Sequence, residues 1–128
     1  MRVKSYDAIT DYETILSLVK QEKLTALYKK DKVLYKEALS NSESFVCVEN
    51  NEIIGFMRCI SDFTYTTYVM EVLCRDGENK IDVYKELLQK ACRLAPHGTC
   101  NIITDDLTDE EFYKELGFVK TGIGMSKK

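Results

Sequence analysis

The 128-residue sequence predicts an α/β or α+β domain built on a mixed β-sheet, and three observations carry the prediction. Runs rich in Val, Ile, Tyr and Thr, over Phe45–Val48, Ile53–Ile60 and Thr66–Cys74, have the composition of strands. From Lys80 onward, apolar residues return at three- and four-residue spacing, the pattern of an amphipathic helix. Two Thr-x-x-Glu boxes, Thr10 to Glu13 and Thr108 to Glu111, mark where further helices open.

In chain order, Arg2 to Tyr6 reads as a first strand. Behind the Thr10 box, Ile15, Leu16 and Val19 recur at helical spacing. A second helical stretch falls between Lys23 and Leu39, with Leu24, Leu27, Tyr28, Leu34, Tyr35 and Ala38 as its apolar face; Asp31 interrupts that stripe. Asn50-Asn51 then joins two β-branched runs as a tight hairpin, because asparagine tolerates positive φ. The end of Thr66–Cys74 is almost continuously apolar, as in a central strand covered on both faces. Arg75 to Asn79 is a polar loop.

Ile81, Tyr84, Leu87, Leu88, Ala91 and Cys92 form the stripe of the next helix, which Pro96 and Gly98 end. Thr99 to Thr104 is a strand. A short helix follows from Thr108, closed by Gly117, which takes the left-handed conformation at a helix end. A last strand or hairpin starts at Phe118. The length fits a single domain over residues 1–128.

Composition narrows the function classes. Apolar residues make up 45% and charged residues 30%, an ordinary globular balance. A net charge of −3 lacks the basic footprint of a nucleic-acid binder. No run is long and apolar enough for a bilayer span and Met1–Tyr6 has no signal-like apolar region, so a cytoplasmic location without a membrane partner is expected. Five cysteines share no metal or redox spacing, and with the single His97 they predict no metal site. Cys74 is expected to be a packing residue, and His97 to lie at the surface.

The C-terminal Phe112-Tyr113-Lys114-Glu115-Leu116-Gly117-Phe118 resembles the Phe-Tyr-x-x-x-Gly-Phe pattern of the GNAT-superfamily N-acetyltransferases. Ala38-Leu39-Ser40-Asn41-Ser42 with Glu52 to Arg58 is similar to small bacterial members. Asp62 followed by Tyr68 to Leu73 looks like the family's central strand. The resemblance covers about residues 38 to 128. It implies a GNAT-like fold, with a mixed sheet of about six or seven strands flanked by about four helices. It further implies acetyl transfer from acetyl-CoA, as co-substrate, to a small-molecule or peptide amine.

The resemblance also implies roles for particular residues. Tyr113 stands where the family places the acid for the departing thiolate. Backbone N–H groups around Val72, Leu73 and Cys74 would hold the thioester carbonyl. The segment Asn79, Lys80, Ile81 and Asp82 would meet the coenzyme pyrophosphate at a helix N-terminus. Asn79, Asp82 and Tyr84 occupy positions where the family carries Arg/Gln, Gly and Gly/Ala. Asp106 replaces an Asn that contacts coenzyme. The carboxylates of Asp76, Glu78 and Asp82 oppose a dianion, against Arg75 and Lys80.

Glu71 is the candidate base, with Asp62 as a substitute. A carboxylate on an apolar strand faces either a polar cleft or a salt-bridge partner. Phe63, Tyr65 and Tyr68 line an acceptor pocket or belong to the core. The altered loop also fits a second reading, a catalytically weak or inactive GNAT-fold module that binds a ligand or forms a homodimer surface.

Overall fold

The computed structural model describes residues 1–21, 31–103, 109–122 and 124–127. The elements are β1 (Arg2–Ser5), α1 (Tyr12–Gln21), α2 (Lys32–Ser40), β2 (Glu43–Glu49), β3 (Glu52–Ser61), β4 (Thr66–Cys74), α3 (Lys80–Leu94), β5 (Thr99–Ile102) and α4 (Asp109–Glu115). The five strands lie in the order β1-β2-β3-β4-β5. The first three pairings are antiparallel and β4–β5 is parallel, so the sheet is mixed as expected.

Local chemistry explains most of the boundaries. Asn50 and Asn51 have φ of 53° and 63° and close the β2–β3 hairpin. The helix α1 does not use the expected Thr10–Glu13 box. Its first intrahelical bond runs from Ile15 N–H to Asp11 C=O, and the Thr10 hydroxyl donates to the Asp11 carboxylate. Asp11 is the acidic residue that Lys4 and the Asp7 amide already hold, so the helix opens one residue later than the box predicts. Asp31 does not break a helix but starts one: its carboxylate accepts from Val33 and Leu34 N–H as the N-cap of α2. Tyr35 and Leu39 are the buried residues of α2, whereas Leu34 faces outward. Leu24, Leu27 and Tyr28 lie outside the described residues.

Two layers cover the sheet. On one face α3 packs Val83, Tyr84, Leu87, Leu88 and Ala91 against Phe45, Met57, Cys59, Val69 and Val72. On the other, α1 and α2 bring Ile15, Val19, Tyr35 and Leu39 onto Val46, Val48, Phe56 and Leu73. The strand β4 is thus apolar on both faces over Val72 and Leu73.

The C-terminal pattern has a structural origin. Gly117, at φ +92°, lets its own N–H reach Lys114 C=O while Phe118 N–H reaches Tyr113 C=O. This is a Schellman closure, and its usual apolar clasp is the Tyr113–Phe118 ring contact at 5.9 Å. Thr108 lies outside the described residues, so its box has no counterpart here. The strand expected from Phe118 does not form among the described residues. Phe118 turns into the core, and Val119 and Met125 are exposed without a neighbouring strand. The sheet therefore has five described strands rather than the six or seven expected.

Candidate functional site

The site begins where two parallel strands part. β5 pairs with β4 only from Thr66↔Thr99 to Val69↔Ile102, while β4 runs on to Cys74. Past Val69 the edge of β4 therefore opens a notch, with no strand beside it among the described residues. Arg75 N–H donates to Ile54 C=O at 2.9 Å, which sets the phase of the β3–β4 ladder. By antiparallel alternation, Phe56 and Leu73 exchange bonds, and Val72 and Cys74 turn their N–H and C=O toward the notch. Of the expected carbonyl-holding set, Leu73 is thereby corrected: its amide belongs to the ladder with β3. The amides of Val72 and Cys74 point away from β3.

The loop between β4 and α3 is already internally satisfied. Asn79 is the N-cap of α3, its side chain accepting from Asp82 N–H at 3.3 Å. The amides of Lys80 and Ile81, in the first turn behind this cap, have no intrahelical acceptor. Arg75 binds Glu78 at 2.7 Å and Glu52 at 3.1 Å, contacts that raise its pKa further. Lys80 lies over the rings of Phe112 and Tyr84, at 4.8 and 5.2 Å, instead of standing free at the helix end. An incoming dianion would meet Asp76 and Asp82, both exposed, at about 1 kcal/mol of repulsion per charge pair 4 Å apart in water. Asp106 lies outside the described residues.

An aromatic cluster walls the notch on the α3 side. Tyr84 is buried, and its hydroxyl donates to Val72 C=O at 2.8 Å. Its ring meets Phe112 edge-on at 5.3 Å and Tyr113 at 6.5 Å. Sequence reasoning placed Tyr84 at a Gly/Ala position of the loop and in the helix stripe but missed its contact with the strand; no local signal shows which carbonyl a tyrosine will reach. Desolvation, with a smaller push from Asp109, raises the Tyr113 hydroxyl from 10.0 to about 12. Tyr113 therefore keeps its proton through the neutral and mildly alkaline range, as a donor.

Glu71 lies on the opposite face. A bulge between Arg58 and Cys59 leaves Met70 without a cross-strand partner and pairs Glu71 with Arg58. Arg58 Nε donates to Glu71 Oε1 at 2.5 Å and the Tyr35 hydroxyl donates to Oε2 at 3.0 Å. Arg58 also donates to Ser42 Oγ, which in turn donates to Ala38 C=O. The side chains of Arg58 and Glu71 are 11% and 7% exposed, so this is a nearly buried, mutually satisfied network. Of the two placements open to Glu71, the structure takes the salt bridge. Both oxygens are engaged, Oε1 by Arg58 and Oε2 by Tyr35.

Asp62, the expected substitute base, is turned onto the backbone of its own turn. Its carboxylate accepts from Thr64, Tyr65 and Thr66 N–H at 2.8–3.0 Å, and these bonds, that of Thr66 foremost, lower its pKa. Phe63, Tyr65 and Tyr68 are exposed and not part of the core. Cys74 is buried and His97 exposed, as expected. Among the described residues no three His, Cys, Asp or Glu side chains cluster as a metal site, and no helix is long and apolar enough to cross a membrane.

A shallow cleft of about 460 Å³ lies at the other end of the α1 face, lined by Arg2, Lys4, Asp11, Glu52 and Arg75. Its charges are mixed, with Lys4 paired to Asp11 and Arg75 to Glu52. That arrangement offers no single-sign field to a ligand.

The sequence model of the family described as Acetyltransferase (GNAT) family matches residues 9–118. Solved structures share the fold at low identity. A GNAT-family acetyltransferase from Streptococcus pneumoniae superposes with a TM-score of 0.73 at 18% identity, covering 98% of this chain and 97% of that one. An aminoglycoside 6'-N-acetyltransferase from Acinetobacter haemolyticus gives 0.74 at 14% identity, covering 100% and 99%. An aminoglycoside N-acetyltransferase solved with CoA gives 0.70 at 15% identity, covering 98% and 97%. No curated protein matches the sequence.

Proposed function

The chain belongs to the GNAT acetyltransferase family, and from that premise we propose that it transfers an acetyl group from acetyl-CoA to a small-molecule or peptide amine. The observation that carries the reading is the notch. There β4 outruns β5, the backbone of Val72 and Cys74 faces outward, and Tyr113 stands at the adjoining aromatic wall. A thioester carbonyl in the notch would take hydrogen bonds from those amides, where negative charge develops during attack.

In this reading the amine lone pair attacks the acetyl carbon, the C–S bond breaks, and CoA leaves as a thiolate. Tyr113 donates a hydrogen bond to the departing sulfur. With its hydroxyl near 12 and a thiol near about 8.5, Tyr113 steadies the thiolate and does not surrender its proton to it; water completes that step. The amine reaches the carbonyl from the face away from α3, because Tyr84, Phe112 and Tyr113 fill the α3 side. Its proton leaves to water, since the oxygens of Glu71 are held by Arg58 and Tyr35. Five free cysteines and an ordinary acidic composition fit work in the reducing cytoplasm, without nucleic acid or membrane as partner.

The test is release of CoA thiol from acetyl-CoA over a panel of small amines and peptide N-termini. Amine-dependent release supports the reading, with Tyr113→Phe lowering kcat about tenfold or more and leaving the acetyl-CoA KM nearly unchanged. Release no faster with amines than without them sinks it.

A second reading rests on the filled loop. Asn79 caps α3, Lys80 lies over rings and Tyr84 holds Val72 C=O, so the site grips phosphate weakly. A GNAT-fold binding module with little coenzyme use then shows no acetyl-CoA binding below millimolar concentration.

A further inference from the structure

The helix α3 ends one short connection before β5, and that junction brings two cysteines together. Cys100 lies on β5 and packs against the core cluster that holds Cys59, Leu88 and Ala91. Cys92 lies in the last turn of α3, four residues after Leu88 and three before Ala95 on the same row of the helix. Both of those neighbours are buried, so Cys92 stands at the margin of the packed stripe while it is itself exposed. The thiols of Cys92 and Cys100 are hydrogen-bonded to each other.

The connection that sets this meeting is fixed. Gly98 N–H bonds Ala95 C=O at 3.3 Å, His97 N–H bonds Thr64 C=O and Thr99 N–H bonds Tyr65 C=O. Gly98 lies so close to the β3–β4 turn that a Cβ there would come within 1.8 Å of the Tyr65 carbonyl oxygen. From Thr66↔Thr99 to Val69↔Ile102, β5 is then held by β4. Neither cysteine can drift without breaking these bonds, which keeps the two sulfurs side by side.

Access assigns the two sulfurs their parts. Cys92 is open to a small oxidant. Cys100 is half-buried, and desolvation, then the neighbouring Cys92 sulfur, raises its thiol to about 12, so it enters as a protonated partner. Cys47, Cys59 and Cys74 are buried, and Cys59 Sγ already donates to Glu43 C=O at 3.3 Å.

We propose that Cys92 and Cys100 form a peroxide-oxidisable dithiol, closing to a disulfide that pins the last turn of α3 to β5. Hydrogen peroxide transfers one oxygen to Cys92, giving a sulfenic acid and one water. Cys100 Sγ then attacks Cys92 Sγ. The S–S bond forms, the S–O bond breaks, and the Cys100 proton leaves with the hydroxide as a second water. The two thiols lose two electrons and the peroxide gains them. A small dithiol reductant restores the pair by exchange, as for the redox-sensing disulfides of reducing compartments. The proposal is independent of the acyl-transfer reading. Oxidation ties α3 to the strand whose end opens the notch.

Trypsin separates the pair, because it cuts after Lys90 and Arg93 and next after Lys114. The folded, intact protein is treated with hydrogen peroxide, its remaining thiols are blocked with N-ethylmaleimide in denaturant, and the digest is mapped by mass spectrometry without reductant. The expected product is peptide 91–93 joined to peptide 94–114 within one chain, with Cys47, Cys59 and Cys74 alkylated, and dithiothreitol should abolish it. Cys100→Ser should leave a sulfenic acid at Cys92 that dimedone traps, and Cys92→Ser should slow oxidation of Cys100 about tenfold or more. Cys92 carried to sulfinic acid beside a free Cys100, a crosslink only between chains, or one that forms only in urea overturns the proposal. A chain that peroxide leaves fully reduced does the same.

Discussion

The Arg58–Glu71 pair gives the sharpest prediction, because a structural and a catalytic carboxylate respond differently to one substitution. Glu71→Gln keeps the side-chain shape but removes the charge that Arg58 faces at 2.5 Å, in a site where the two side chains are 11% and 7% exposed. Removing one partner of a fully buried pair costs about 3–5 kcal/mol; the residual exposure here brings that to about 2–4 kcal/mol. For a chain of this length such a loss lowers Tm by about 10 °C. Arg58→Met should lose a similar amount, since it strands the Glu71 carboxylate beside Tyr35. The double variant Arg58→Met/Glu71→Leu should recover most of it, because two apolar groups replace two charges together. Urea unfolding followed by far-UV circular dichroism measures all three. Acetyl transfer by Glu71→Gln, assayed well below its Tm, should stay within about threefold of wild type. Unchanged stability in Glu71→Gln combined with a loss of turnover of a hundredfold or more would refute the structural assignment and restore Glu71 as the base.

Three further outcomes follow from the same geometry. The acetyl-transfer rate should not fall between about pH 8 and pH 11 through loss of the Tyr113 proton, which is held to about 12; a descending limb near 10, absent in Tyr113→Phe, contradicts this. Burial raises Cys47 from 9.0 to about 11, and Cys59 and Cys100 to about 12. Above pH 9 the unfolded thiols ionise while the folded ones stay protonated, so stability is full below 9 and falls by about 1 kcal/mol per thiol by pH 10; a flat urea midpoint from pH 8 to 10 argues against it. Asp82→Asn removes an exposed carboxylate from the first turn of α3 and should tighten acetyl-CoA binding about fivefold by calorimetry; unchanged affinity would place the pyrophosphate elsewhere.

What could be read from the residues, and what could not, divides by distance along the chain. Asn50-Asn51 and Gly117 announced their turns because positive φ is a one-residue property. The Phe-Tyr-x-x-x-Gly-Phe pattern was equally local, and the structure gives it a mechanical meaning: Tyr113 and Phe118 are the clasp of a Schellman closure. Asp31 was visible but ambiguous, since the same side chain interrupts an apolar stripe and caps a helix. The notch was legible only as an expected backbone set, and which of its amides face outward depends on ladder phase, so Leu73 was misplaced. The partner of Glu71 was beyond local reading altogether: Arg58 lies 13 residues away and meets it because a bulge at Met70 shifts the register. Tyr84 likewise counted as stripe until the strand carbonyl it reaches came into view.

The central claim is that the notch between β4 and β5 binds acetyl-CoA, and thermal unfolding with and without the coenzyme addresses it most directly. At about 100 times the dissociation constant a ligand adds about 2.7 kcal/mol, which for this chain raises Tm by about 10 °C. Tm should rise with acetyl-CoA concentration through the millimolar range, and rise further in Asp82→Asn. A Tm unmoved by millimolar acetyl-CoA, in wild type and Asp82→Asn alike, would contradict it.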